Sequence, residues 1–130
     1  MPESIPDKYL NNLKFVVLTD RETGEAFAIY FDYTLPNMHV EIFGQAISEF
    51  AAKGRRIGIE GGGRITKMDN YIVLHSRSGQ YGRYEDEDAL RLAPLHPMLC
   101  DRGFIFLSKS GEDNAMAVVR EYEAKKKLSE

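Results

Sequence analysis

A chain of 130 residues, 43% hydrophobic and 28% charged, is sized for one globular domain with one buried core. Its 17 basic against 20 acidic side chains leave a net charge of −3, which argues against a general nucleic-acid binder with its phosphate-neutralising face. One cysteine, Cys100, excludes an internal disulfide and any cysteine-based zinc cluster. No apolar run approaches the roughly 20 residues that span a bilayer, and the acidic, core-less start MPESIPDKYLNN is not a secretory signal. The expectation is a cytoplasmic protein with neither nucleic-acid nor membrane partners.

Residues 1–12 are polar, carry two prolines and are expected to form a loose lead-in. Leu13–Thr19 (LKFVVLT) is β-branched and aromatic and reads as a strand ending at Asp20. A turn around Gly24 leads to a second strand, Ala26–Tyr33, and the two are expected to form a hairpin. Pro36 and Asn37 offer helix-start chemistry, with Asn37 as the candidate cap. Ile42, Phe43, Ala46, Ile47 and Phe50 recur at helical spacing, so a helix runs to about Lys53 and stops at Gly54.

Arg55–Ile59 reads as a short strand, interrupted by Gly61-Gly62-Gly63 before Arg64, Ile65 and Thr66. Tyr71–Ser76 (YIVLHS) is a strong strand, and Arg77–Arg83 is a glycine-containing loop. Glu85–Leu92 predicts a short helix closed by Pro94, Phe104–Leu107 a last strand, and Glu112–Leu128 a terminal helix. Neither a repeat nor an internal boundary is visible, so residues 1–130 form a single domain. The fold class is α/β of the α+β kind: a small mixed sheet of about five or six strands packed with helices, plus a C-terminal helix.

Several segments bear on chemistry. Three consecutive glycines mark a bulge or a close approach of backbone to something else. Gly58 and Gly63 have the glycine spacing of a nucleotide-binding loop, but Arg64 and Ile65 stand where that loop needs Lys and then Ser or Thr. That reading fails. His39, near the head of the first helix, sits at the positive end of the helix dipole, which keeps an imidazole neutral and basic near pH 7. His75 lies in an apolar strand and reads as structural, and His96 has no recognisable role. None of the three has a neighbour at metal-ligand spacing. Lys14 shares a strand face with Val16 and Leu18, where an edge lysine would reach back to solvent. Ser78-Gly79-Gln80-Tyr81-Gly82 follows the strongest strand, and successive amides in such a turn can form an anion-binding nest.

Taken in order, MHVEIF at His39 and IEGGGRIT around Arg64 resemble the Janus/Ocnus family, which contains the protein phosphohistidine phosphatases. The family pattern has a histidine heading the first helix and a glycine-rich segment whose arginine stands 25 residues downstream, the spacing of His39 and Arg64 here. A lysine inside the first strand is matched by Lys14, and Ser78–Gly82 is similar to the family's S-x-x-Y-G phosphate loop. The matches cover residues 13–84. The resemblance implies a small mixed sheet packed with two helices and a metal-independent, cofactor-free phosphatase acting on a phosphohistidine-containing protein. It implies His39 as the catalytic general base or nucleophile, and Lys14 and Arg64 as phosphate-binding cations. It further implies Ser78, Gly79 and Gln80 as the loop whose amides hold phosphoryl oxygens. A monomer is expected.

One departure stands out. The family's phosphatases carry an arginine eight residues before the histidine, where this chain has Phe31. Arg77 beside the loop is a candidate substitute. The alternative is a non-catalytic phosphate-binding or regulatory module. The charged tail from Glu112 suggests no function.

Overall fold

The computed structural model describes residues 5–100 and 103–129. Five strands, β1 (Leu13–Asp20), β2 (Ala26–Tyr30), β3 (Ile57–Met68), β4 (Tyr71–His75) and β5 (Ile105–Lys109), form one sheet in the order β2-β1-β3-β4-β5. All neighbours are antiparallel except β4 and β5, so the sheet is mixed. The helices are α1 (His39–Ala52), α2 (Asp86–Leu92) and α3 (Ala115–Ser129), with short 3-10 turns at Asp7–Tyr9 and Ala93–Leu95. The expected α+β fold with a mixed sheet and a C-terminal helix is the one observed.

Alternation along the strands sorts the apolar residues into two layers. Val16 and Leu18 of β1 pack with Ile42 and Ala46 of α1, while Val73 of β4 and Leu107 of β5 pack with Val118 and Val119 of α3. The intervening residues Leu13, Phe15, Val17, Ile65, Ile72 and Leu74 face the other way, onto α2 and the segment after it. Helices α1 and α3 therefore share one face of the sheet and leave a strip of it between them.

Four local expectations are corrected. The glycine tract does not interrupt a strand: β3 runs for 12 residues straight through Gly61–Gly63. Its only irregularity is a bulge at Glu60, where Val17 pairs with Gly61 but Leu18 with Ile59. The second strand ends at Tyr30, because the Asp32 carboxylate accepts from the Thr34 amide at 2.9 Å and closes a turn. Asn37 is not the helix cap. Its side chain instead accepts from the Lys14 amide at 2.8 Å and donates to the Asn12 carbonyl at 3.0 Å, and Met38 occupies the cap position without a side-chain bond. The described part of the lead-in is packed rather than loose: Ile5 and Leu10 are core residues, and Lys67 bridges to Asp7 at 3.0 Å.

Candidate functional site

The ladder registers place four basic side chains in one row across the sheet. Lys14 pairs with Arg64, Arg64 with His75, and His75 with Lys109. Residues paired this way point to one face, here the strip between α1 and α3. Like charges directly opposite each other in a ladder repel. Lys109 is compensated by Glu121 of α3 at 2.5 Å. Lys14 and Arg64 form no ion pair among the described residues. Two half-buried cations thus face each other without an ion-pair partner among the described residues, the nearest acidic influence on the row being that of Asp113 and Glu112 on His75. Lys14 is no edge lysine: β1 lies between β2 and β3, and where β2 has turned away the Asn37 side chain takes the Lys14 amide.

His39 joins them from above. It is the first residue of α1, its side chain is buried, and its Nε2 donates to the Gly63 carbonyl at 2.9 Å. A carbonyl only accepts, so the neutral ring carries its hydrogen on Nε2 and Nδ1 keeps the free lone pair. Burial lowers the His39 pKa, and the Lys14 and Arg64 charges lower it further against the opposing Gly63 hydrogen bond. At neutral pH this imidazole is a neutral base beside two cations. No side chain among the described residues caps α1, while the Met38 amide donates to the Pro36 carbonyl at 2.7 Å.

The glycine tract is what lets the ring lie so close. A Cβ at Gly62 would sit 2.6 Å from His39 Cδ2 and 2.9 Å from the Phe15 carbonyl oxygen. On the opposite face a Cβ at Gly63 would meet the Tyr84 ring at 2.6 Å. The close approach expected of the triplet is therefore made on both faces, by His39 and by the segment around Tyr84.

The loop after β4 adjoins this place but is closed on itself. The Ser78 amide donates to the Gly62 carbonyl at 2.9 Å, and the Gly62 amide donates to the Gly82 carbonyl at 3.2 Å, fastening the loop to the tract. Ser78 Oγ accepts from the Gln80 and Tyr81 amides at 3.2 and 3.0 Å. Of Ser78, Gly79 and Gln80, only the Gly79 amide has no acceptor among the described residues. The loop is thus placed beside His39, while two of its three amides are engaged internally.

His75, Thr66 and Ser76 are neighbours that sequence reasoning passed over or set aside as structural. Thr66 Oγ1 and Ser76 Oγ each lie 2.8 Å from a ring nitrogen of buried His75. Burial, reinforced by Arg64, pushes the His75 pKa down to about 4. The apolar run YIVLHS signals burial of such a residue, but only the register shows that it stands next to Arg64.

Phe31 lies on the other face. It is 5% exposed, belongs to the cluster around Phe15 and Ile65, and stacks on His96 with ring centroids 4.2 Å apart. His96, without a role in the sequence, packs against this residue, accepts from the Met98 amide at 3.1 Å and is pushed by burial to about pKa 4. Arg77 is exposed.

These histidines make acid stability predictable. Both folded values, about 4, lie below the ordinary 6.5, so between those limits the unfolded chain binds more protons. Their stabilising contribution is full above about pH 6.5 and is lost as pH falls toward 4. Urea unfolding should therefore give a midpoint that drops between pH 7 and 4.5, with a shallower drop in His96→Phe. An equal slope in parent and variant would show that His96 is not the linked group.

Among the described residues no group of three or more His, Cys, Asp or Glu is arranged to hold a metal ion. No helix of the described chain is long and apolar enough to cross a membrane. A comparison with protein-family models and one with curated proteins find no match to this chain.

Proposed function

We propose that the chain is a metal-independent phosphatase that hydrolyses phosphohistidine in proteins. The observation that carries this reading is the cross-strand pair Lys14 and Arg64, without an ion-pair partner among the described residues, beside the neutral, buried imidazole of His39. A dianionic phosphoryl group placed between the cations would relieve their repulsion, and transferring phosphate demands just such charge stabilisation at its equatorial oxygens. In the reaction the P–N bond breaks, water supplies the new P–O bond, and the departing imidazole nitrogen gains a proton. As general base, His39 Nδ1 takes the proton of the attacking water and returns it to the departing nitrogen. As nucleophile, it forms its own P–N bond as the substrate's breaks, the departing nitrogen takes a proton from solvent, and water then cleaves the new bond. Nε2 is bonded to Gly63 in both routes. Lys14 and Arg64 stand on one face of the sheet, in the strip between α1 and α3, a placement that suits a phosphoryl group borne on another protein.

A second reading, a phosphate-binding module without turnover, draws on two observations. No arginine replaces Phe31, which is in the core, and the Ser78 and Gln80 amides are already bonded. Hydrolysis of a phosphohistidine-bearing protein in the presence of EDTA separates the two: release of phosphate supports the enzyme, and binding without release supports the module.

The cation pair itself is tested by phosphate titration. Lys14→Ala and Arg64→Ala should each weaken phosphate binding about tenfold, on the order of 1.4 kcal/mol, and the loss should shrink as salt screens the attraction. Arg64→Lys should not restore it fully, because an ammonium lacks the bidentate fork. Unchanged affinity in both alanine variants, followed by NMR, places the anion site elsewhere.

A further inference from the structure

At the far end of α1 from His39, three arginines from two separate segments converge on one open cleft of about 340 Å³, lined by Arg21, Arg55, Arg56, Ile47, Ala51 and Ile57. Arg21 belongs to the turn between β1 and β2, and its amide donates to the Arg56 carbonyl at 3.2 Å, tying that turn to the loop after α1. The stem of Arg21 passes over Gly58, where an added Cβ would meet its Cγ at 3.7 Å. Arg55 is fixed more firmly: its guanidinium lies 3.7 Å from the centre of the Phe27 ring and bridges to Asp20 at 3.2 Å. Asp20 is the one carboxylate in ion-pair contact with the three arginines among the described residues. A molecule with net charge −3 thus gathers a surplus of positive charge here. The carbonyl end of α1 attracts cations in any protein, but that accounts for neither Arg21, from another element, nor the apolar floor. Ile47 on that floor is 45% exposed.

We infer that this cleft is a docking site for an acidic, extended peptide segment of a partner protein, whose carboxylates meet Arg21 and Arg56 while an apolar side chain covers Ile47 and Ala51. The cleft is several times the volume of a phosphate ion, taking a water's share of about 30 Å³ as the scale, and a small anion leaves the floor uncovered. Charge complementarity therefore favours a peptide carrying both kinds of side chain. The inference is independent of phosphatase activity, since α1 separates this cleft from His39.

The test uses the fluorescein-labelled peptide EELEELEE and fluorescence anisotropy on the full chain. The parent should bind it, with affinity falling as salt rises. Arg21→Glu/Arg56→Glu should weaken binding roughly tenfold or more, and so, to a lesser degree, should the milder Arg21→Ser/Arg56→Ser, with the fold of each checked by circular dichroism. Lys14→Ala/Arg64→Ala should leave binding unchanged. The peptides QQLQQLQQ and EESEESEE should bind weakly, since each lacks half of the required chemistry. The inference is overturned by undetectable binding to the parent or by equal binding to both arginine variants. Loss of binding in the Lys14/Arg64 variant, or displacement of the peptide by inorganic phosphate at equal concentration, overturns it too.

Discussion

Replacing His39 by alanine should slow hydrolysis of a phosphohistidine-bearing protein by at least about 10²-fold, the ordinary cost of removing a positioned general base. The fold should survive, because α1 keeps Ile42 and Ala46 buried against β1 and β3. The Gly63 carbonyl loses its buried donor, however, so stability should fall by about 1–2 kcal/mol. Retention of more than about a tenth of the rate would remove His39 from the mechanism. Gly62→Ala provides the companion measurement. Its methyl would lie 2.6 Å from Cδ2 and 3.0 Å from Nε2 of His39 and 2.9 Å from the Phe15 carbonyl oxygen, so the ring must move most and the β1 backbone must give slightly. The rate should then drop, since misplacing a catalytic group by about 1 Å costs on the order of 10²-fold. Phosphate affinity should change little. A loss of affinity equal to the loss of rate would mean that the tract shapes the anion site itself.

The parts of this arrangement that sequence reveals are the local ones. The run LKFVVLT, the helical recurrence from Ile42 to Phe50 and the stop at Gly54, where φ is +75°, each depend on nearby residues and propensities. So does the position of His39 at the head of a helix. What sequence conceals is register. Lys14 meets Arg64 because β3 passes unbroken through three glycines and absorbs Glu60 in a bulge, and neither property follows from composition. Glycine in a strand normally weakens it, so the tract reads as a break. Here tertiary contact reverses that reading, because the His39 and Tyr84 rings need the space. Ile5 and Leu10 were hidden for a related reason: two isolated apolar residues in a polar stretch carry no periodicity, yet both are buried.

Phe31→Arg should cost several kcal/mol of stability and add nothing to turnover. The family resemblance makes the opposite outcome attractive, since a guanidinium near the phosphoryl group would stabilise its developing charge. The face of the sheet decides against it. Val16 pairs with Tyr30, and both pack on the α1 side, whereas Phe31, the next residue, turns into the cluster of Phe15, Ile65 and Tyr84. An arginine there would enter an apolar cluster, stacked against a His96 ring that burial already keeps neutral near pH 7. Burying an unpaired charge is among the most damaging single changes a domain can suffer. A thermal melt should show a drop of ten degrees or more, at roughly 3–5 °C per kcal/mol for a chain of this size. Phe31→Leu should lose much less, because it keeps the site apolar. A Phe31→Arg protein that melts with the parent and turns over faster would mean that residue 31 reaches the strip between α1 and α3, and the assignment of faces would be wrong. With Phe31 confined to the core, Arg77 is left as the candidate for the missing charge. Arg77→Ala then divides the two functional readings: a large loss of turnover supports an enzyme using Arg77, and a silent change favours the binding module.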